Sequence, residues 1–177
     1  MLNACCVSTD LGMYGEVGDE RRFLHIFKER LKDCFYQRWW THISNSERFH
    51  LYHCFKRTFQ CERYLGCMQS RIYKTALARF RFGVSRINCH RLRFSAAFDL
   101  RNCPFCTTST EDECRMLFQC PAYTDLRTKS SFETTARTGS QKEQYVQILC
   151  SANVNTLLNL SKFIFFATKR RESLITT

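Results

Sequence analysis

From Asp19 onward, apolar side chains return every three to four positions. Phe23, Phe27, Leu31 and then Cys34 or Phe35 fall on one helical face, with Arg22, Lys28, Glu29, Lys32 and Asp33 between them, and Trp39 and Trp40 close the stretch. That spacing predicts an amphipathic helix. A second helix is expected after Ser44, where Glu47 three residues on makes a capping box and Leu51, Tyr52, Phe55 and Phe59 supply the stripe. A third is expected from about Met68 to Phe80 on Met68, Ile72, Leu77 and Phe80, with Gly83 placed to end it in the left-handed conformation. The last apolar set, Tyr145, Ile148, Leu149, Val154, Leu157, Leu158 and Phe163, reads as a C-terminal helix ending in Lys169-Arg170-Arg171, cations that suit a helix terminus. Residues 1–18 lack periodicity and hold three of the six glycines, so a disordered tail is expected there.

These elements divide the chain into a tail (1–18), a helical segment (19–66), a basic helix with a cysteine module (67–128), a polar linker (129–142) and a C-terminal helix (143–177). Six glycines and two prolines in 177 residues are too few for the turns of an all-β fold. The fold class expected is mainly α: a small helical fragment with a cysteine-rich, zinc-knuckle-like module.

Charge sharpens the picture. The chain carries 27 Lys+Arg against 16 Asp+Glu, a formal net charge of +11. Between Arg71 and Arg101 the basic residues are Arg71, Lys74, Arg79, Arg81, Arg86, Arg91, Arg93 and Arg101, and the one acid is Asp99. Guanidinium groups pair two phosphate oxygens at once and stack on bases, so this stretch is the candidate nucleic-acid-binding surface, for RNA or DNA. Phe80, Phe82, Phe94 and Phe98, interleaved with it, read as core rather than stacking platforms. His25, His42, His50 and His53 read as surface or half-buried imidazoles.

The N-terminus has no basic segment leading into an apolar run of the kind that directs export, so the expected location is nuclear or cytoplasmic, not secreted. No run approaches the roughly 18 apolar residues that cross a bilayer, and FIFF at 163–166 reads as core or an oligomer contact rather than an anchor. In a reducing compartment, twelve cysteines are core thiols, metal ligands or reactive groups. Cys103-Pro104-Phe105-Cys106 can present two sulfurs to one tetrahedral zinc. A helix start at Thr110, with Glu113 completing a capping box, then Cys114 and Cys120-Pro121 follow, as if a metal held a short helix at both ends. Cys103, Cys106, Cys114 and Cys120 are therefore the candidate metal ligands. Glu111, Asp112 and Glu113 read as first-turn acids opposing the helix dipole, not as catalytic carboxylates. Cys89 and His90 adjoin in sequence, which by itself sets no base beside a thiol.

The segments RINCHRLRFSAAFDLRNCPFC and EDECRMLFQCPAYTDLR resemble the C-terminal, zinc-binding end of reverse transcriptases from non-LTR, LINE-like retrotransposons. The likeness runs from about Phe23, through FKERLKDC and SERFHLY, to Arg127, with a weaker echo at LSKFIFFATKRR. It implies a Cys-Cys-His-Cys zinc module that helps hold nucleic acid, with Cys103, Cys106 and Cys120 as ligands and the family's His at the position of Arg115. Arginine stays protonated and cannot ligate zinc. Cys114 could serve instead through a local shift of the helix start, His90 or Cys89 could reach across, or the site could be degenerate. The polymerase's aromatic-x-Asp-Asp hairpin and the endonuclease's acidic site are both missing, so no enzymatic activity is expected. The reading is a non-catalytic nucleic-acid-binding fragment of a transposable element's reverse transcriptase. An inert translated remnant and a helical protein-interaction module are the alternatives. No membrane or small-molecule substrate is indicated, and oligomeric state is not encoded legibly.

Overall fold

The computed structural model describes residues 20–49, 51–92, 94, 101–107, 109–132 and 139–175. The tail expected over 1–18, Arg93, Phe98 and the middle of the expected linker lie outside the described residues. The chain divides into two compact units, Met1–Asn45 and Ser46–Thr177. Tyr52, Tyr64 and Met68 are buried within the second unit.

The described part of the first unit is one helix, α1 (Glu20–Asn45). It runs through Ser44, so the capping box expected there does not form; the chain instead turns through a 3-10 segment, Glu47–Phe49, into the short α2 (Tyr52–Phe55). A helix already under way satisfies the N–H groups that a Ser44 cap would have served. The α1 row Phe23, Phe27, Leu31 and Phe35 is exposed, with the Phe23 and Phe27 rings stacked 6.2 Å apart.

In the second unit α3 (Arg63–Cys67) leads into α4 (Arg71–Arg81). The third predicted helix is thus present but begins at Arg71, and Met68 belongs to the end of α3. Gly83 adopts φ 62°, with Gly83 N–H donating to Phe80 O and Val84 N–H to Arg79 O. This is a Schellman stop, which a glycine provides without Cβ strain. There follow α5 (Asn88–Arg91), a π-wound turn (Arg115–Gln119), a 3-10 turn (Pro121–Tyr123), α6 (Thr124–Ser130), α7 (Gln141–Leu149) and α8 (Val154–Ile175). The C-terminal helix expected over 143–177 is therefore two helices bent by 114°, and Ser140 with Glu143 caps the first in a reciprocal box. No single helix among the described residues is long and apolar enough to cross a membrane.

The core lies where α4 meets α8. Leu77 and Phe80 of α4 and Leu160, Phe163, Ile164 and Ala167 of α8 are buried, joined by Met116, Leu117, Tyr123, Phe132 and Tyr145. Phe163 and Ile164 of the FIFF run are core, whereas Phe166 is exposed. The architecture is mainly helical; among the described residues, pairing of extended chain is confined to one bridge, Asn102 with Thr110.

Candidate metal centre and basic groove

Cys103–Thr107 turns tightly, and backbone bonds tie it to the residues around it. Cys103 N–H donates to Ser109 O (2.8 Å), Thr107 N–H donates to Cys103 O (2.8 Å), and Glu111 N–H donates to Arg101 O (2.8 Å). The loop turns the two sulfurs of CPFC toward Cys120, which follows the π-wound turn. Cys103, Cys106 and Cys120 bring their Sγ atoms within 4.8 Å of one another, a separation at which one metal ion can be shared. Cys103 and Cys120 Sγ are 3.7 Å apart, and two thiolates on one tetrahedral zinc, each about 2.3 Å from it, sit about 3.8 Å apart. The donor set and the spacing fit a thiolate-loving metal.

Cys114 does not join them. Its sulfur lies 3.9 Å from the Gln141 carbonyl oxygen, and burial, with Asp112 and Glu113 nearby, pushes the thiol up to about 12. Adjacent residues on a helix point roughly 100° apart, so Cys114 faces α7 while its successor faces the cluster. That successor is Arg115, whose Nη2 donates to Cys106 Sγ at 3.0 Å. Neither Cys89 nor His90 reaches across, since His90 is engaged with Glu113, Nε2 to Oε1 2.5 Å.

The cluster's electrostatics follow from this neighbour. Burial pushes Cys106 up, but the hydrogen bonds from Arg115, Cys103 and Cys120 outweigh it and hold the thiol below its ordinary value. Burial takes Cys120 the other way, to about 12. The Cys106 sulfur, paired with a guanidinium, thus stands beside the less acidic thiol of Cys120. A metal entering here would displace protons and meet Arg115 at its fourth side.

The acids between the cysteines perform three separate tasks rather than the single dipole role expected. Glu111 accepts from Asn88 N–H (2.6 Å) and from Nε of Arg171 (2.7 Å), the Glu111–Arg171 side chains both being 2% exposed. Asp112 is the helix cap in place of Thr110, its Oδ1 taking Arg115 N–H at 2.7 Å. Glu113 takes His90. Arg127 donates to the carbonyls of Met116 and Cys120 and to Thr124 Oγ1, tying down the turn that carries the third sulfur. Asp125 pairs bidentately with Arg170 (2.6 and 2.7 Å), so Arg170 and Arg171 clamp α8 to the cysteine module rather than serving a helix terminus.

The predicted basic residues separate into three kinds. Arg71, Arg79 and Arg86 line a groove of about 550 Å³ between α4 and α8, joined there by Lys169 of the C-terminal cation run. Ile72, Ile164 and Phe165 line it as well. Arg86 and Lys169 share Glu172 at the rim, at 2.5 and 3.4 Å. Lys74 and Arg91 do not line the groove; Arg91 is exposed and Lys74 half-buried. Arg81 is withdrawn from solvent altogether, 5% exposed, bonded to Glu62 and to Leu149 O and stacked 4.5 Å over Phe55. Arg101 is half-buried, its Nε on Leu92 O. A buried guanidinium held by a carboxylate and a carbonyl cannot meet a phosphate, so Arg81 leaves the set of candidate contacts.

The chain matches no protein-family model, and no curated protein or solved structure is significantly similar to it.

Proposed function

We propose that this chain is a nucleic-acid-binding module, of the kind found at the C-terminal end of non-LTR retrotransposon reverse transcriptases, in which binding itself requires no catalytic step. Its cysteine cluster would be a structural zinc site supporting a phosphate-tracking groove. The observation that carries the reading is the convergence of Arg71, Arg79, Arg86 and Lys169, from two helices and a loop, on one open groove. Among the described residues, Arg71 and Arg79 have no carboxylate within ion-pairing distance, which leaves their charge available to an anion.

The mechanism is counterion release with orientation. Phosphates neutralised by these cations shed condensed ions, and the apolar wall formed by Ile72, Ile164 and Phe165 accepts the faces of sugars or bases. Zinc on Cys103, Cys106 and Cys120, with a non-protein fourth ligand, would fix the loop through which Glu111 and Arg171 hold α8 in place. The resemblance of the cysteine stretch supports zinc over other thiophilic metals.

Fluorescence anisotropy with labelled RNA and DNA oligonucleotides across a salt series tests the reading. Four phosphate contacts predict that log affinity falls against log salt with a slope of about −3. An affinity flat with salt, or no binding at low salt, would contradict it.

A further inference from the structure

Ser85 lies on the loop after the Gly83 stop and on the wall of the α4–α8 groove. Its hydroxyl oxygen is 2.6 Å from Nδ1 of His90, and its backbone N–H also donates to Nδ1, at 3.2 Å. A backbone amide can only donate, which assigns the lone pair to Nδ1 and the ring proton to Nε2. Nε2–H then donates to Glu113 Oε1, 2.5 Å away, while the Cys89 thiol donates to Oε2 at 3.8 Å. The His90 and Glu113 side chains are 1% and 5% exposed, so solvent does not compete for these bonds.

This tautomer decides between two readings of the cluster. Cys89, His90 and Glu113 place potential ligand atoms within 4.8 Å of one another, as a metal site would. The nitrogen facing the other two carries the proton, however, and the nitrogen with the lone pair faces Ser85. The arrangement is a carboxylate, an imidazole and a hydroxyl in series, the order that activates a serine. Here the ring is turned so that Nδ1 is the base.

We infer that Ser85 is a nucleophile, with His90 as its general base and Glu113 as the positioning residue. The groove whose wall it joins, at 8% exposure, takes a carboxylic ester bearing an anionic group. The groove's volume of about 550 Å³ holds such a molecule, its apolar wall suits the acyl chain, and Arg71 and Arg79 suit the anion. Ser85 Oγ bonds to the carbonyl carbon and its proton passes to Nδ1. The ester C–O bond then breaks, and the departing alkoxide takes that proton and leaves as an alcohol. Water adds to the acyl-serine, again giving a proton to Nδ1, which returns it to Oγ as the carboxylic acid departs. The sum is ester plus water to acid plus alcohol, with no oxidant or reductant.

The test is labelling of the purified full chain with a fluorophosphonate probe, with the modified residue located by peptide mass, alongside hydrolysis of p-nitrophenyl succinate and p-nitrophenyl butyrate. Label on Ser85, its loss in Ser85→Ala, and faster hydrolysis of the succinate support the inference. In Glu113→Gln that keeps wild-type helical circular dichroism, kcat falls about tenfold or more with KM little changed. Folded wild type that takes no more label than Ser85→Ala, or takes it on another residue, overturns the inference whether or not the Glu113 variant folds. Neither readout involves nucleic acid, so the outcome is independent of the groove's affinity for RNA or DNA.

Discussion

Three arginines taken out of water set the energetics at the scale of single residues. Arg81 lies over Phe55 and against Glu62, Arg127 caps carbonyls around Cys120, and Arg171 meets Glu111 with both side chains 2% exposed. Removing one member of a buried pair leaves the other charge without its partner. Arg171→Met should therefore lower stability by about 3–5 kcal/mol, read by urea denaturation. A loss under about 1 kcal/mol, the range of exposed pairs, would contradict the burial assigned to it. None of these roles was legible in the sequence. Arg81 and Arg171 occur in runs of cations that look alike locally, and their acids lie 19 and 60 positions away. The same holds for Glu113, whose partner His90 is 23 residues upstream. A capping box is a local pattern, and it explained the acids by the nearest rule available; tertiary partners at longer range overrode it.

Among the elements, α4 and its stop were legible because both signals are local: apolar residues at helical spacing and a glycine at the one position needing positive φ. CPFC likewise placed two sulfurs on one turn, and Cys120 joins them. The fourth corner was not legible, because it turns on one step of helical register: Cys114 faces α7 and Arg115 faces the sulfurs. Arg115→His replaces a repelling cation with a nitrogen ligand. It should tighten zinc binding by about tenfold or more, measured by competition with a chromogenic chelator. Unchanged affinity would mean that Arg115 does not border the metal. The clamp between α6 and α8 gives a second element-scale outcome. Its hydrogen bond from Arg170 holds the Asp125 carboxyl at about 2, below the usual 3.8. A depressed carboxyl stabilises the fold above its ordinary value and loses that contribution as pH falls toward its folded one. The melting temperature of Asp125→Asn should thus lie below wild type at neutral pH, with the gap closing between about pH 4 and pH 2. A gap independent of pH would assign the loss to packing instead.

At the largest scale, the second unit joins a cysteine loop, two ion pairs and a basic groove through a single helix. Arg170 and Arg171 of α8 hold the module by Asp125 and Glu111, and the same helix puts the adjoining Lys169, and Phe165 about a turn earlier, on the groove facing α4. A metal at the cysteines would therefore act on the groove through α8. Net charge indicated an anionic partner but could not tell which of the arginines face solvent together, since that depends on how α4 and α8 cross. The decisive measurement compares two double charge reversals of equal net charge by oligonucleotide anisotropy: Arg71→Glu with Arg79→Glu in the groove, and Arg91→Glu with Lys129→Glu outside it. The account predicts that the groove pair weakens binding by about tenfold or more and the outside pair by less than about threefold. Equal losses from the two pairs would contradict it.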